Sequence, residues 1–464
     1  MKIILINPRS KNSNEILQKC FVPVNLTYLA SSLLTNGYQV EIIDANALCL
    51  SDREIVKRVK VSEPDVVGIS LLSEILPSIF RLVNSIKCSY PKAKIVGGGP
   101  HVNALPEEVL REFEEIDYLL VGEAEESIVQ LCKALENKID LKRVKGLYYR
   151  EEGRIVNNGL AKFPDIDSLN QPAKDLLRDE YERKRYYMIL TRYRPVDTLI
   201  TSRGCPFHCR FCCNARKEYR ARSPENVLEE IITLYSRGIR SFDIADANFT
   251  LDRARAIAIF DLIKKEKLNI SFRIKSRCDF IDEELVRKAK EAGAYLISLG
   301  MESGSQEILD RMNKGTKIED NVRACKIVMD EGLKLNTGWI IGFPGETMET
   351  IEETLKLIVK IKPTTANINL LVPYPGTEVY EEAKIERRLV GDWSVKNGLV
   401  PWVKLPWVSS YSELLKIVQW VRNKVYYRPY YIFSFVKESL VNANFHLARY
   451  MVQEVCKSLR VFSK

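Results

Sequence analysis

Three cysteines stand close together in the middle of the chain, where their thiolates could share one metal centre. Cys205, Cys209 and Cys212 have the spacing C-x3-C-x2-C within the stretch Ser202-Arg-Gly-Cys-Pro-Phe-His-Cys-Arg-Phe-Cys-Cys213. Thiolates are preferred ligands of iron–sulfur clusters, and a closed [4Fe–4S] cluster needs four of them. Three cysteines on one short loop therefore predict a cluster in which one iron is open to a further ligand.

Two other interpretations of the loop fit the sequence less well. A zinc site would more often pair a C-x2-C unit with a second Cys or His pair far downstream, and the sequence contains no such pair. Structural cysteines would be scattered, whereas here four lie within nine positions. We expect a structural role for Cys213. Its alternative, a fourth ligand, would block the open iron.

This loop resembles the cluster loop of the radical S-adenosylmethionine (SAM) superfamily, in which the open iron binds the amino and carboxylate groups of SAM. The resemblance implies that Cys205, Cys209 and Cys212 hold the cluster and that Phe211 lies near the adenine. It also implies that the reduced cluster cleaves SAM to methionine and a 5′-deoxyadenosyl radical. That radical would abstract hydrogen from an unactivated carbon.

The segment around the loop, residues 195–390, alternates β-rich runs with helical patterns. The resemblance implies a partial (β/α)6 TIM barrel, the radical SAM core, and catalytic groups of such barrels lie at the carboxyl ends of the strands. The cluster loop follows the first predicted strand, as this rule requires. The predicted strands are Thr198–Thr201, Ser241–Ile244, Ser271–Ile274, Tyr295–Gly300, Asn336–Ile341 and Asn367–Leu371.

Residues after the later strands are the candidates for holding SAM. The resemblance implies that Asp246, with Asn248 beside it, binds the amino group; the alternative for Asp246 is an N-cap of a helix beginning near Leu251. Arg277 would bind the carboxylate and Glu302 the ribose hydroxyls, the alternative being a plain ion pair between them. The adenine side would be formed by Gly338, Ile340 and Gly342.

Residues 1–135 also alternate strands and helices, which predicts a doubly wound, Rossmann-like or flavodoxin-like α/β domain. Its ligand should lie over the carboxyl ends of the strands. Glycines in three of the loops at that edge would allow close approach of a bulky ligand. The predicted strands are Lys2–Asn7, Gln39–Asp44, Asp65–Ser70, Ala93–Gly97 and Tyr118–Val121.

The order of the loops at this edge resembles the cobalamin-binding domain that precedes many radical SAM enzymes. The chain lacks the D-x-H-x-x-G loop that supplies an axial histidine, so we expect cobalamin without a histidine ligand from that loop. The alternative is a relic domain that only scaffolds or docks substrate. The implied cobalamin-binding residues are Asn7, Gly68, Ser70, Gly98, Gly99, His101, Gly122 and Glu123.

Two further segments complete the predicted organisation. Residues 136–194 look like a connector with a hairpin, and residues 391–464 look largely helical. From Lys404 to Lys464 the chain has ten Lys or Arg and three Glu, interleaved with aromatic residues. This pattern predicts peripheral membrane contact, and the segment resembles that of hopanoid methylases and archaeal lipid-modifying enzymes, which implies a lipid substrate. In the alternative, the aromatic residues cap the open side of the barrel.

Composition limits the classes of function. The chain has 464 residues, 46% hydrophobic and 28% charged, with no apolar run of 18 residues, so we expect a cytoplasmic globular enzyme. No nucleic-acid-binding module is visible. We therefore predict a radical SAM enzyme that receives electrons from an external reductant and methylates an unactivated carbon through cobalamin. The alternatives are radical cyclisation or cross-linking without cobalamin, and a non-catalytic cluster protein.

Overall fold

The computed structural model describes residues 1–9, 20–188, 190–213, 218–393 and 400–433. The chain divides into two compact units. The first contains Cys20–Tyr186 together with the first strand. The second contains Tyr187–Val390 and the described residues from Pro401 onward, whereas Gly391–Val400 belongs to the first unit.

The first unit is built on a seven-stranded sheet whose first five strands are parallel. Their order, β2-β1-β3-β4-β5, is that of flavodoxin-like folds, which confirms the predicted doubly wound class. In such sheets the ligand crevice lies where the order reverses, here between β1 and β3. The strands are β1 (Lys2–Asn7), β2 (Gln39–Asp44), β3 (Val66–Ser70), β4 (Lys94–Gly98), β5 (Tyr118–Leu120), β6 (Leu147–Glu151) and β7 (Arg154–Asn157).

Helices cover this sheet because its central strands are apolar on both faces; β3 is buried along its whole length. Local signals fix the helix ends, as at Ser51, which forms a reciprocal capping box with Glu54. The helices are α1 (Val24–Thr35), α2 (Asp52–Ser62), α3 (Leu76–Ser89), α4 (Pro100–Ala104), α5 (Pro106–Glu112), α6 (Glu125–Leu135) and α7 (Arg178–Glu182).

The hairpin predicted for the connector is the pair β6–β7. Strand β6 pairs antiparallel with β5, so the hairpin extends the first sheet. The first unit therefore continues beyond residue 135, and the chain from Gly146 to Tyr186 packs with it.

The second unit contains a parallel six-stranded sheet in the order β8-β11-β12-β13-β14-β15. It confirms the predicted partial barrel of six strands, although the first strand lies two residues earlier than predicted. The six strands are β8 (Val196–Leu199), β11 (Ser241–Ile244), β12 (Ser271–Ser276), β13 (Ala294–Glu302), β14 (Lys334–Ile341) and β15 (Thr365–Leu370). Two short pairs complete the strands: β9 (Ser202–Arg203) with β10 (Arg220–Ala221), and β16 (Leu389–Val390) with β17 (Trp402–Val403).

A helix follows each barrel strand, and most begin at a residue whose side chain caps the first turn. Ser223, Asp252, Asp282, Thr347 and Thr377 each accept a hydrogen bond from a backbone N–H of the helix they precede. The helices of this unit are α8 (Pro224–Ser236), α9 (Arg253–Lys265), α10 (Glu283–Glu291), α11 (Gln306–Arg311), α12 (Ile318–Asp330), α13 (Met348–Ile361), α14 (Glu378–Ile385) and α15 (Tyr411–Tyr426).

Helix α15 covers the edge of the last barrel strand. The Tyr426 hydroxyl donates to the Ala366 carbonyl (2.6 Å) and accepts from the Ala366 N–H (3.0 Å), and Arg422 donates to the Ile368 carbonyl. Side chains thus satisfy backbone groups that a seventh strand would otherwise pair. Trp402 and Tyr431 are also buried. These contacts support the alternative in which the aromatic residues close the barrel.

Membrane contact by the C-terminal segment stays a prediction, and residues 434–464 of that segment lie outside the described part of the chain. Tyr427, Tyr430 and Phe433 are the large aromatic residues exposed there within the described part of the chain. None of the described helices is both long and apolar enough to cross a bilayer.

Candidate functional site

The two ends of the cluster loop are joined by a short antiparallel pair. Strand β9 leads into the loop and β10 leaves it, with Arg203 opposite Arg220. Gly204 has a φ of +82°, and a Cβ there would lie 1.8 Å from the Glu218 carbonyl oxygen, so only glycine fits. The stem therefore fixes where the loop begins and ends.

Asp246, a predicted SAM ligand, holds this stem. Its carboxylate is almost fully buried and accepts from the Thr201 N–H (2.7 Å), the Thr201 hydroxyl (2.6 Å) and the Ser202 hydroxyl (2.6 Å). The N-cap alternative is wrong, because α9 begins at Arg253 and Asp252 caps it. Binding of the SAM amino group by Asp246 stays a prediction, since both carboxylate oxygens already accept hydrogen bonds.

A buried arginine supports the same stem from the next helix. Arg255 donates to the Thr201 carbonyl (2.7 Å) and to the Arg222 carbonyl (2.6 Å), one on each side of the loop. The Arg222 N–H in turn donates to the Thr201 carbonyl (2.9 Å). The stem of the cluster loop is thus held by hydrogen bonds with Asp246, Arg222 and Arg255.

The middle of the loop is anchored through Arg210. Its N–H donates to the Met312 carbonyl (3.0 Å), its carbonyl accepts from the Val379 N–H (3.1 Å), and its guanidinium pairs with Glu378 and Glu382 at the start of α14. Phe211 packs against a cluster that also contains Ile340 and Phe343. Phe211 and Ile340 therefore pack against the same apolar cluster, and their contact with adenine stays a prediction.

The three cysteines lie on the part of the loop that these contacts leave accessible. Cys205 and Cys209 are partly exposed and Cys212 is exposed, as is Cys213. Among the described residues, no three Cys, His, Asp or Glu side chains converge on a point where a single ion could bind. Ligands of a four-iron cluster bind separate irons and need not converge in this way.

Two cations lie on the Cys209 side of the loop. Burial raises the pKa of the Cys209 thiol, while the charges of Lys314 and Arg277 lower it. The Arg277 guanidinium stacks on the Phe207 ring (3.7 Å to the centroid) and forms two hydrogen bonds with Asp279 (3.0 and 2.9 Å). Its Nη1 is buried and has no hydrogen-bond partner among the described residues.

Asn248 presents a second unsatisfied donor at the same edge. Its Oδ1 accepts from the Arg277 N–H (3.3 Å), whereas its Nδ2 is buried without a partner among the described residues. Orphaned buried donors are uncommon in native proteins and often indicate a missing ligand. Asn248 and Arg277 therefore fit a bound group with acceptor oxygens, as expected of SAM.

Glu302 ends β13 with a φ of +63°, a left-handed conformation that is rare for non-glycine residues. Its Oε1 accepts from Lys314 Nζ (2.8 Å), and both side chains are largely buried. The predicted alternative, an ion pair between Glu302 and Arg277, is wrong, because each pairs with a different residue. Contact of Glu302 with the ribose stays a prediction.

The predicted adenine side is formed by alternate residues of β14. Gly338 and Ile340 share one face of the strand, and Gly338 stands opposite Gly300 of β13. Gly342 has a φ of +95°, which only glycine adopts readily. Its N–H donates to Glu346, a buried glutamate whose other oxygen lacks a partner among the described residues.

At the carboxyl edge of the first sheet, Asn7 is held by a buried carboxylate. Asp44 accepts from Asn7 Nδ2 (2.8 Å) and from the Tyr186 hydroxyl (2.9 Å), as well as from the N–H groups of Asn46 and Ala47. Burial raises the pKa of Asp44, and these hydrogen bonds oppose the shift. Asn7 is therefore fixed at the end of β1, beside the switch point.

The loops after β3 and β4 form a closely packed cradle. A Cβ on Gly99 would lie 3.0 Å from the Leu71 carbonyl oxygen and 3.2 Å from Ser70 Oγ. Gly98 accepts through its carbonyl from the Leu71 N–H (2.7 Å). His101 is buried and hydrogen-bonded to Ser73 (3.0 Å). These loops fit a bulky ligand held mainly by backbone and small side chains.

Gly68 does not belong to this cradle. It lies inside β3, two residues before the strand ends, and a Cβ there would meet the Leu5 side chain at 2.7 Å. Its assignment to cobalamin is corrected to a packing role within the sheet. Further along the edge, the Gly122 N–H donates to Asn103 (2.7 Å), and Glu123 follows it, partly exposed.

Several residues at the two edges could not be recognised from the sequence. Lys314, Asp279 and Phe207 complete the surroundings of the cluster loop, and Tyr186 and Asn103 fix the edge of the first sheet. For Lys314 a signal existed, because Asn313-Lys-Gly315 is a turn that follows the strand bearing Glu302. Phe207, Tyr186 and Asn103 act through contacts with more distant parts of the chain, whereas Asp279 lies two residues from its partner Arg277.

Comparison with family models identifies both units. Residues 199–358 match the radical SAM superfamily, and residues 17–132 match the B12 binding domain. The first match contains the cluster loop and the strands β11–β14. The second contains the first sheet's parallel strands from β2 to β5.

Similarity to known proteins extends over nearly the whole chain. The sequence is 33% identical over 437 residues to an uncharacterized methyltransferase of Pyrococcus horikoshii, covering 92% of this chain and 93% of that protein. It is 30% identical to the anaerobic magnesium-protoporphyrin IX monomethyl ester cyclase of Rubrivivax gelatinosus, covering 89% and 75%. It is 25% identical to the hopanoid C-3 methylase of Methylococcus capsulatus, covering 97% and 84%.

Among solved structures, the radical SAM methyltransferase TsrM of Kitasatospora setae, with cobalamin and a [4Fe–4S] cluster bound, has the same fold. The TM-score is 0.78 at 16% identity, covering 97% of this chain and 99% of that one. The three-cysteine loop, the two matched domains and the relatives agree. The chain belongs to the cobalamin-dependent radical SAM methyltransferase family, and its cofactors are a [4Fe–4S] cluster, SAM and cobalamin.

Proposed function

We propose that this enzyme methylates an unactivated carbon of an apolar, lipid-like substrate. The observation that carries the proposal is the cluster loop, which offers three cysteines at the carboxyl end of β8 in a chain that also contains a B12-binding domain. The hopanoid C-3 methylase among the relatives supports a lipid as the methyl acceptor.

The cluster and SAM would bind at the carboxyl edge of the second sheet, and cobalamin at that of the first. At the second sheet, Cys205, Cys209 and Cys212 would hold the cluster, which when bound supplies the electron that cleaves SAM. Arg277 and Asn248 would orient SAM through their unsatisfied donors. At the first sheet, the loops bearing Asn7, Ser70, Gly99, His101 and Gly122 would hold cobalamin, which when bound supplies the methyl group.

Product ratios test methyl transfer against its main competitor. The protein, purified without oxygen and loaded with iron, sulfide and hydroxocobalamin, is reduced and given trideuteromethyl SAM with a total lipid extract. Methyl transfer predicts equal amounts of 5′-deoxyadenosine and S-adenosylhomocysteine and a lipid that gains a trideuteromethyl group. Because one relative is a cyclase, cyclisation is the second candidate; it predicts 5′-deoxyadenosine without S-adenosylhomocysteine.

We also propose that an external one-electron reductant serves the cluster and that the protein contacts anionic membranes through its last described residues. Tyr427, Tyr430 and Phe433 are exposed beside Lys424 and Arg428. Aromatic rings and cations side by side suit the interface of an anionic bilayer. Co-sedimentation with anionic vesicles should fall when the three aromatic residues are replaced by serine, and unchanged sedimentation would contradict this contact.

A further inference from the structure

One face of the second sheet is turned away from the helices and lines the inside of the partial barrel. In β12, Phe272 stacks on Phe260 of α9, with 6.0 Å between the ring centroids. Because successive side chains of a strand point to opposite faces, Arg273 and Lys275 lie on the inner face. Arg273 is paired there with the buried Asp243 of the neighbouring strand (2.5 Å). The charge of Arg273 is therefore compensated within the barrel.

The charge of Lys275 is not compensated in this way. Its side chain is partly exposed and has no hydrogen-bond or ion-pair partner in the part of the chain that the structure describes. Its backbone is fixed, since the Lys275 carbonyl accepts from the Phe249 N–H (3.0 Å) and the residue stands opposite Ser298 of β13. A cation held inside a barrel without a counter-ion favours the binding of an anion there.

The next strands of the inner face add uncharged polar groups. Asn336 donates to Ser298 Oγ (3.2 Å) and accepts from the Thr365 hydroxyl (2.7 Å), and these hydrogen bonds form a chain from β13 to β15. Nearer the carboxyl edge, Asn367 and Asn369 are exposed on the same face, and neither side-chain amide has a partner among the described residues. An apolar molecule in this space would remove these amides from water without giving them hydrogen bonds.

This polar surface lies deeper in the barrel than the residues that fit SAM. Arg277, at the carboxyl edge, comes two residues after Lys275, which is about 7 Å along an extended chain. Gly300 of β13 and Gly338 of β14 stand opposite each other, and neither contributes a side chain to the space between the strands and the barrel axis. The glycines and the exposed amides indicate room for part of a second ligand, the methyl acceptor.

A lysine ammonium binds carboxylate and phosphate oxygens through charge-assisted hydrogen bonds. We propose that Lys275 binds an oxyanion, a carboxylate or a phosphate, of the methyl acceptor, and that Asn367 and Asn369 bind its neighbouring polar groups. The acceptor is then an anionic amphiphile and not a neutral hydrocarbon. This inference rests on the proposed function, because it names the polar end of the lipid-like substrate.

Binding of matched probes tests the role of Lys275. Octanoate, octyl phosphate and octanol are titrated by calorimetry into the cluster-loaded protein saturated with SAM, without reductant. For the wild type we expect at least one of the anions to bind about tenfold tighter than octanol or more, and the tighter anion identifies carboxylate or phosphate as the preferred group. K275M should lose this preference, and K275R, which keeps the charge, should retain most of it.

Controls separate this role from a structural one. K264M is the matched control, since Lys264 forms an exposed ion pair with Glu291 and should keep the anion preference. K275M should retain about four irons per chain and bind SAM within about twofold of the wild type, because its side chain supports no other described residue. Equal affinity of the wild type for octanol and both anions would overturn the proposal, and so would an anion preference that survives in K275M.

Fractionation of the lipid extract by anion exchange distinguishes failure of this inference from failure of the proposed function. With trideuteromethyl SAM, we expect the label in the acidic fraction. Label confined to the neutral fraction would overturn the inference and leave methyl transfer intact. Absence of both label and S-adenosylhomocysteine in every fraction would contradict the proposed function, and the probe affinities would still decide whether Lys275 binds an oxyanion.

Discussion

The carboxyl edges of the two sheets hold their ligands by different means. At the first sheet, buried polar side chains pair with one another, Asp44 with Asn7 and Tyr186 and His101 with Ser73, and one buried acceptor, Asn46 Oδ1, lacks a partner among the described residues. At the second sheet, Arg277 and Asn248 keep buried donors without partners in the described part of the chain. An edge whose named donors are paired suits a large ligand held by shape, whereas an edge with open donors suits a small charged one.

The test with the largest expected effect removes the cluster and measures whether the protein still retains cobalt. Cys209→Ser deletes one of three thiolate ligands, so we expect iron to fall from about four per chain to near zero and 5′-deoxyadenosine formation to cease. Retained cobalt should stay at the wild-type level, because the first edge contains none of these cysteines. Iron and cobalt are measured together after anaerobic reconstitution. Loss of cobalt as well would show that the edges are not independent.

Glu346 at the second edge and His101 at the first edge predict opposite effects of pH on stability. Burial raises the pKa of Glu346 from its ordinary value of 4.5 to about 8, so the folded protein binds more protons than the unfolded chain between these values. The second unit should therefore lose up to about 5 kcal/mol as pH rises from 4.5 to 8. Glu346→Gln should flatten this dependence. The free energy of unfolding in urea is measured at several pH values, with hydrogen exchange of the β14 amides as the probe. A pH dependence that is the same in the wild type and in Glu346→Gln would contradict Glu346 as its source.

At the first edge the sign is reversed. Burial lowers the pKa of His101 from 6.5 to about 4, with Glu108 opposing the shift, so the unfolded chain binds more protons between these values. The contribution of His101 to the stability of the first unit should be fully present above pH 6.5 and fall by about 3 kcal/mol as pH falls to 4. His101→Asn should remove this loss. Exchange of amides in β4 reports it, and an acid loss of the same size in H101N would exclude His101 as its source.

Much of this comparison could be predicted from the sequence, because it depends on local patterns. Apolar runs gave both parallel sheets, and the residue after each run marked its carboxyl edge, which located Asn7, Asp246 and Glu302 correctly. Roles within the edges could not be predicted, since they depend on partners far apart. Asp246 accepts hydrogen bonds from Thr201, 45 positions earlier in the chain. The ion pair between Glu302 and Lys314 was also not predicted from the sequence. Gly68 was assigned through the resemblance of Gly68-Ile-Ser70 to a loop of the cobalamin-binding domain, and that resemblance did not show that Gly68 lies inside β3.

The test with the smallest expected effect concerns the stem of the cluster loop, the pair β9–β10. In Asp246→Asn one acceptor oxygen is replaced by a donor that faces the hydroxyls of Thr201 and Ser202. We therefore expect the free energy of opening the stem to fall by about 2 kcal/mol. Hydrogen exchange of Thr201–Arg203 should then be about 30-fold faster in the iron-free protein, while β3 and β4 are unchanged. Asp261→Asn, at an exposed ion pair with Lys288, is the control. If hydrogen exchange at the stem were unchanged and only the affinity for SAM fell, Asp246 would bind SAM, as its position in the sequence first indicated. The second edge would then contain one more group that is open to a ligand.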